Sequence, residues 1–262
     1  MASEDTKPPP KAITIGISGC SSSGKTTLAR LLRDIFPSTF ILHQDDFYLP
    51  ETSLPTKHGL LDWDCAAAIS IPDLESALSH IRTHGTFPPT ISSKEDQNSV
   101  GTIPVTDAQL SEIRNRVSQW LSPGSPGHKI FSSEIRICLL DGFLLYSPPE
   151  FTQVMSNLDI KLFLLVSREK ATRRREARDG YVTLEGFWTD PPGYVDKIVW
   201  PNYVEAHRWL FDGGDVEGGM VREEVLDREG IRTPGGVDVE FGEVLEWAVG
   251  EVMRRLEELV LE

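Results

Sequence analysis

The residues Gly19-Cys20-Ser21-Ser22-Ser23-Gly24-Lys25-Thr26 satisfy the pattern G-x-x-x-x-G-K-[ST] without a mismatch. Each fixed residue type has a physical task. The glycines let the backbone curl so that successive N–H groups point inward, and a helix starting at Gly24 adds the positive end of its dipole. Lys25 would reach the β- and γ-phosphates of a nucleotide, and the hydroxyl of Thr26, next to Thr27, would hold Mg²⁺. Such donors bind a polyphosphate whatever the charge of the rest of the chain.

Further groups along the chain could complete a reaction centre. The apolar run Ile135 to Leu140 ends in Asp141-Gly142, an acid at the carboxyl end of an expected strand, where a second acid of a Mg²⁺–water shell would stand. An Asp-Gly pair also starts turns. Gln44-Asp45-Asp46-Phe47-Tyr48 supplies a carboxylate able to orient or deprotonate a hydroxyl, although adjacent aspartates equally serve as turn residues or helix caps. Leu61-Asp62-Trp63-Asp64 sets an aromatic between acids, either a grip on a ring and a diol or a tryptophan of the core. Arg173-Arg174-Arg175-Glu176-Ala177-Arg178 offers mobile cations for a transferring phosphoryl group, or a solvated helix face. Their order along one chain favours the joint reading.

A phosphate cradle identifies a nucleotide site, not a reaction. A regulatory GTPase would carry N-K-x-D for guanine and D-x-x-G after the second acid. Here Asn157-Leu158-Asp159 lacks the lysine, and Asp141-Gly142-Phe143-Leu144 has its glycine one step after the acid. A small-molecule kinase instead needs an acceptor site beside the γ-phosphate, a carboxylate and cations, all of which the chain supplies. A GTPase-like switch and a non-catalytic nucleotide-binding scaffold are the remaining classes. No base-reading motif separates ATP from GTP.

The elements that must position these residues follow from periodicity. Ala12 to Ser18 is a β-branched apolar run that stops at Gly19, as a buried strand does, and Gly24 to Phe36 carries apolar residues at helical spacing until Pro37. Short apolar runs at Phe40–Leu42, Ile135–Leu140 and Ile160–Val166 are followed by helix-like sequence, with one helix expected from about Asp64 to His84. Strands alternating with helices imply parallel pairing and an α/β three-layer sandwich. Residues 85–134 are rich in Ser, Thr, Pro and Gly and read as a surface insertion with a helix over Asp107–Leu121. After Asp212 come three Gly-Gly pairs and an amphipathic helix over Phe241–Leu261, whose apolar face must dock, most simply on its own domain.

The chain has 262 residues, which fits one enlarged domain: a leader over 1–11, a kinase-like core over 12–211 and an acidic extension over 212–262. Acids exceed bases by 40 to 26, a formal charge of −14 that argues against nucleic acid or an anionic membrane as partner. Residues 212–262 hold 15 of those acids and 5 of the bases, so the acidity belongs mostly to the extension. Three cysteines without a CxxC pair fit neither a disulfide framework nor a zinc cluster, and no run of 18 apolar residues occurs. A soluble cytoplasmic protein is expected, with a monomer favoured.

Taken together, Gly16-Ile17-Ser18-Gly19, the cradle, Gln44-Asp45-Asp46-Phe47, Asp62-Trp63-Asp64, Asp141-Gly142-Phe143-Leu144-Leu145, the arginine run, Pro192-Gly193-Tyr194 and Val199-Trp200-Pro201 resemble nicotinamide riboside kinase. The resemblance covers about residues 12 to 211; its cradle and acidic strand ends are shared with uridine and other nucleoside-type kinases. It implies a P-loop NTPase fold with about five parallel strands and a lid, here near 168–190. It implies transfer of the γ-phosphate of ATP, with Mg²⁺, to the ribose 5′-hydroxyl of nicotinamide riboside, or of nicotinic acid riboside, feeding NAD biosynthesis; a uridine or cytidine kinase is the alternative. Asp45 then matches the catalytic base, close to the metal held by Thr26 and Asp141, in an acceptor site that extends over Asp46, Phe47 and Tyr48. Asp64 matches the acid on the ribose hydroxyls, and Trp63 and Tyr181 match the aromatics that sandwich the pyridine ring. Arg174, Arg175 and Arg178 match lid residues on ATP phosphates or substrate. Asp141 stands where the family often has Glu. The spacing around Tyr181 is longer than usual, which leaves Phe187 and Trp188 as alternatives to it.

Overall fold

The computed structural model describes residues 11–93, 103–178, 180–182 and 186–261. The expected leader, apart from Lys11, lies outside the described residues, as do 94–102 of the expected insertion and Asp179 and 183–185 of the expected lid.

Strand β1 (Ala12–Gly19) is buried along its whole length, as its β-branched sequence demands of a strand covered on both faces. The cradle leads into α1 (Lys25–Ile35), and β2 (Thr39–His43) follows. Then come the ribbon β3 (Thr56–Lys57) and β4 (Leu60–Leu61), α2 (Ile71–His84), α3 (Asp107–Trp120), α4 (Pro126–Phe131), β5 (Arg136–Asp141), α5 (Thr152–Ser156) and β6 (Ile160–Leu164). Helix α6 (Arg168–Glu176) carries the arginine run and leads to a second ribbon, β7 (Tyr181–Val182) and β8 (Phe187–Trp188). A π-helical turn at Val195–Val199 opens α7 (Trp200–His207), and α8 (Glu223–Glu229), β9 (Ile231–Arg232) and α9 (Phe241–Leu261) complete the chain.

Among the described residues the main sheet has the order β2-β5-β1-β6-β9, all parallel. Alternation along the strands splits the core. Ile13, Ile15, Ile17, Ile137 and Leu139 face one apolar cluster with α1 and α9; Ala12, Leu42, Cys138 and Leu140 face the other with α2 and α5. This is the expected three-layer α/β sandwich. No helix among the described residues is long and apolar enough to cross a membrane.

Two local readings are corrected by packing. The helix expected from Asp64 starts at Ile71, with Pro72 in its first turn, and Ala66–Ala68 form one 3₁₀ turn. The Asp64 N–H is taken by the Asp62 carboxylate at 3.1 Å, a local bond that competes with helix formation. Residues 103–134 are also more than surface decoration. Helix α3 is capped by Thr106 and Gln109, buries Ile113, Val117 and Trp120, and packs on α9; the Trp120 Nε1–H donates to Glu257 at 2.6 Å.

Candidate active site

The cradle is shaped by backbone that only glycine tolerates. Gly19 has φ +145°, and a Cβ there would lie 2.5 Å from the Leu164 carbonyl oxygen. Gly24, at φ +104°, precedes α1 without any side-chain cap, so the first N–H groups of the helix remain directed at the loop. The Oγ atoms of Ser22 and Ser23 are buried without a hydrogen-bond partner. Lys25 is buried, and its Nζ donates to the Cys20 carbonyl at 2.9 Å, bending the ammonium back over the loop. Burial pulls its pKa below the ordinary lysine value, and the Asp141 and Asp45 carboxylates oppose that shift. Burial pushes the Cys20 thiol up to about 12, which leaves it a packing group rather than a nucleophile.

Sheet register delivers the next acid. Asp141 ends β5 opposite Ile17 of β1 and His43 of β2, and so stands beside the cradle. It accepts a hydrogen bond from the Thr26 hydroxyl and lies 3.3 Å from His43 Nδ1. Burial alone would raise this carboxyl; the His43 contact, Lys25 and Thr26 outweigh it and hold it below the usual carboxylate value.

Gln44–Phe47 form a 3₁₀ turn that continues β2. Gln44 is wholly buried, and its Oε1 accepts the N–H groups of Phe143 (2.8 Å) and Leu144 (3.2 Å), tying the loop after Asp141 to this turn. Asp45 and Asp46 are half-buried, and the charge of Asp45 is felt by both Lys25 and Tyr48. The Phe47 ring is 5% exposed inside the larger apolar cluster, so it supports the turn from beneath rather than lining its open side. Tyr48 meets Trp63 edge-on, with ring centroids 5.2 Å apart.

The Trp63–Asp64 loop is clamped from several elements. Asn202 of α7 donates to both oxygens of Asp62 at 2.9 Å and accepts from Lys57 Nζ at 2.6 Å. The Tyr194 hydroxyl accepts the Trp63 N–H and donates to the Leu61 carbonyl, each at 3.0 Å. Arg175 then closes on the loop: Nη1 and Nη2 donate to the two Asp64 oxygens at 2.6 and 3.0 Å, while Nε and Nη2 donate to Asp190 at 2.6 and 3.2 Å. Burial pushes the Asp64 carboxyl above its ordinary value against the pull of Arg175, and the guanidinium is held firmly charged by the two acids.

The three lid cations thus divide. Arg174 reaches the Ser22 carbonyl at 3.4 Å and so faces the cradle; Arg178 stands over the Tyr181 ring, its charge still felt by Lys25; Arg175 is committed to Asp64 and Asp190. The aromatics divide as well. Trp63 is neighboured by Trp188, with centroids 5.6 Å apart, whereas the Tyr181 ring is met by the guanidinium groups of Arg175 (5.2 Å) and Arg178 (5.0 Å). Tyr181 and Trp188 are paired across the β7–β8 ribbon, and Phe187 points outward, 62% exposed. Sequence reasoning assigned no role to His43, Asp190, Tyr194 or Asn202. Tyr194 is the tyrosine of the Pro-Gly-Tyr segment singled out there and Asn202 follows the Trp-Pro segment, which was the available signal.

Comparison with known proteins places the chain. No family model matches it. It is similar to the nicotinamide riboside kinase of Schizosaccharomyces pombe, at 34% identity over 94% of this chain and 99% of that one. It is similar to the nicotinamide riboside kinase of Saccharomyces cerevisiae at 30% identity, covering 93% and 97% of the two chains. Human nicotinamide riboside kinase 1 is 28% identical over 77% of this chain and 80% of its own. Among solved structures, a possible uridine kinase from Bacillus stearothermophilus is 16% identical with a TM-score of 0.40 over 77% of this chain and 85% of that one, too loose a likeness to bear on the substrate.

Proposed function

The chain belongs to the nicotinamide riboside kinase family, and on that premise we propose that it transfers the γ-phosphoryl group of ATP to the ribose 5′-hydroxyl of nicotinamide riboside. The observation that carries this reading is the placement of Asp45: a half-buried carboxylate at the end of β2, within electrostatic reach of Lys25 and beside a glycine-shaped phosphate cradle. A hydrolase or switch has no need of a carboxylate aimed at an acceptor.

The cradle suits a nucleotide polyphosphate. Its inward N–H groups, the unpartnered Ser22 and Ser23 hydroxyls and the Lys25 ammonium are donors in want of acceptors. A divalent cation fits as well. Thr26, Asp141 and Asp45 present hard oxygen donors, and among the described residues no cluster of three or more His, Cys, Asp or Glu side chains forms a protein cage. That donor set suits Mg²⁺, which keeps its waters and binds through one or two carboxylates and substrate phosphates. When bound there it would neutralise charge on the β- and γ-oxygens. His43 fixes the orientation of Asp141 from behind, as an outer-shell partner does.

The remaining work falls to the chain's own side chains. Lys25, Arg174 and Arg178 offset the negative charge of the transferring group, and Asp45 orients the 5′-hydroxyl and accepts its proton. Asp64, seated by Arg175, meets the ribose diol with its remaining lone pairs. The pyridinium ring is a flat cation, and an indole face attracts such a cation by about 0.5 to 2 kcal/mol. Trp63 is buried, and half-buried Trp188, packed against it with ring centroids 5.6 Å apart, offers the more accessible such face. Product nicotinamide mononucleotide would enter NAD biosynthesis.

ADP release with Mg-ATP, measured against nicotinamide riboside, nicotinic acid riboside, uridine, cytidine and pantothenate, tests the proposal. Acceptor-dependent ADP with nicotinamide riboside is the expected result. Release with uridine alone would overturn the substrate, and release without any acceptor would overturn the transfer reaction.

A further inference from the structure

The β2–β5 ladder ends at the pair His43–Asp141, and the two carboxylates of the reaction centre stand at or just beyond that end: Asp141 closes β5, and Asp45 lies two residues past His43. Backbone pairing therefore does not fix one acid against the other. Gln44 takes over that task. Its side chain is wholly buried, and Oε1 accepts the N–H groups of Phe143 at 2.8 Å and Leu144 at 3.2 Å, as the carbonyl of one more strand residue would. Its Nε2 is buried with no hydrogen-bond partner among the described residues, so the amide is held by what it accepts. An apolar side chain would fill the same space without a stranded donor, and stability alone would favour it.

The facing loop is fitted to this side chain. Gly142 has no left-handed φ to require glycine, yet a Cβ there would lie 2.7 Å from Gln44 Oε1, 2.8 Å from Gln44 Cβ and 2.6 Å from Leu145 Cδ2. Gln44 and Leu145 together occupy the place a side chain would need. The ring of Phe143, carried by the same loop, stacks on Tyr48 with centroids 6.5 Å apart, so the loop after Asp141 meets the turn at both of its ends. We propose that Gln44 is a positioning residue for the transfer: by splicing the turn that bears Asp45 to the loop after Asp141, it sets the separation of the base from the acid on the metal side. The inference rests on the roles proposed above for Asp45 and Asp141.

Gln44→Met and Gly142→Ala attack the contact from its two sides, and Gln44→Asn leaves a buried amide one methylene short of the two N–H groups. Tyr146→Phe, which removes a buried hydroxyl bonded to the Gly16 and Leu162 carbonyls, measures an ordinary loss in the core. Kinetics with nicotinamide riboside and ATP at saturating Mg²⁺ are read beside the Mn²⁺ affinity of the complex with a non-hydrolysable ATP analogue, followed by electron paramagnetic resonance. A misplacement of about 1 Å costs on the order of 10² in rate, and loss of an outer-shell partner costs about 10- to 100-fold in metal affinity or activity. In Gln44→Met and Gly142→Ala, kcat should fall at least about tenfold and Mn²⁺ affinity at least about fivefold, with KM for both substrates within about threefold of wild type; Tyr146→Phe should keep kcat and Mn²⁺ affinity within about twofold. A lowered Tm with kcat and Mn²⁺ affinity near wild type, the mark of a merely structural role, overturns the proposal, as does a rise in KM with kcat kept. Should Gln44→Met not fold, Gln44→Asn decides by the same readings. Should wild type give no acceptor-dependent ADP, the functional reading falls on its own. Mn²⁺ affinity then decides the role of Gln44: a loss in the variants supports it, and an unchanged affinity overturns it.

Discussion

Replacing Arg175 by methionine should be costly, and in a way that depends on pH. The guanidinium is buried, with 6% of its side chain exposed, and gives four hydrogen bonds to two carboxylates, of which Asp64 is 5% exposed. Methionine fills a similar volume but leaves Asp64 as a buried charge without its partner, a loss of about 3–5 kcal/mol. For a chain of this size each kcal/mol lowers Tm by roughly 2–4 °C, so a fall of about 6–20 °C is expected at pH 8. The sign with pH follows from Asp64. Burial already raises its folded-state pKa, and without Arg175 nothing opposes that shift. Above the folded-state pKa the lone charge costs the full amount; as pH falls through it, the folded state binds a proton and regains stability until about pH 4, where the unfolded carboxyl also protonates. Scanning calorimetry from pH 5 to 8 should therefore show the gap to wild type narrowing as pH falls. Adding Asp64→Asn to Arg175→Met should recover much of the loss at pH 8. A Tm drop below about 2 °C, or a drop independent of pH and unrelieved by Asp64→Asn, would refute the claim that Arg175 chiefly seats a buried acid.

Three further outcomes are expected. Lys25→Met should keep or raise Tm at pH 7, because it removes a buried ammonium whose pKa is depressed, yet it should abolish the Tm rise given by Mg-ATP and slow turnover at least as much as Asp45→Asn, about 10²–10⁴-fold; a retained ATP shift would contradict it. His207 is fully buried, and burial lowers its pKa to about 4, so stability present above pH 6.5 should fall by on the order of 3 kcal/mol as pH drops toward 4; an acid limb unchanged by His207→Gln would count against this. Trp120→Ala, which empties the seam between α3 and α9, should cost about 3–5 kcal/mol, and a change under about 1 kcal/mol would show that α3 is not part of the core.

How much of this was legible depended on the range of the interactions. The cradle could be read because its glycines, Lys25 and Thr26 act within one turn of chain, and α3 because its amphipathic pattern is local; the Thr106–Gln109 cap that starts it is seen only in the structure. Asp141 was legible as a strand end, but its bond to Thr26 and its contact with His43 come from sheet register. The α2 start was misplaced because the Asp62 side chain takes the Asp64 N–H, a competition that an alanine run conceals. The pairing of Trp63 with Trp188, the commitment of Arg175 to Asp64 and the clamp from Asn202 and Tyr194 join residues more than a hundred positions apart, and no periodicity reports such contacts.

The central claim concerns where the phosphoryl group goes, and the product answers it most directly. Wild-type protein is incubated with Mg-ATP and nicotinamide riboside, and the product is examined by mass and by phosphorus–proton correlation NMR. The account predicts one added phosphoryl group whose phosphorus couples to the two ribose 5′-methylene protons. A phosphorus coupled to a 2′ or 3′ proton, or ADP and inorganic phosphate with the nucleoside unchanged, would contradict it.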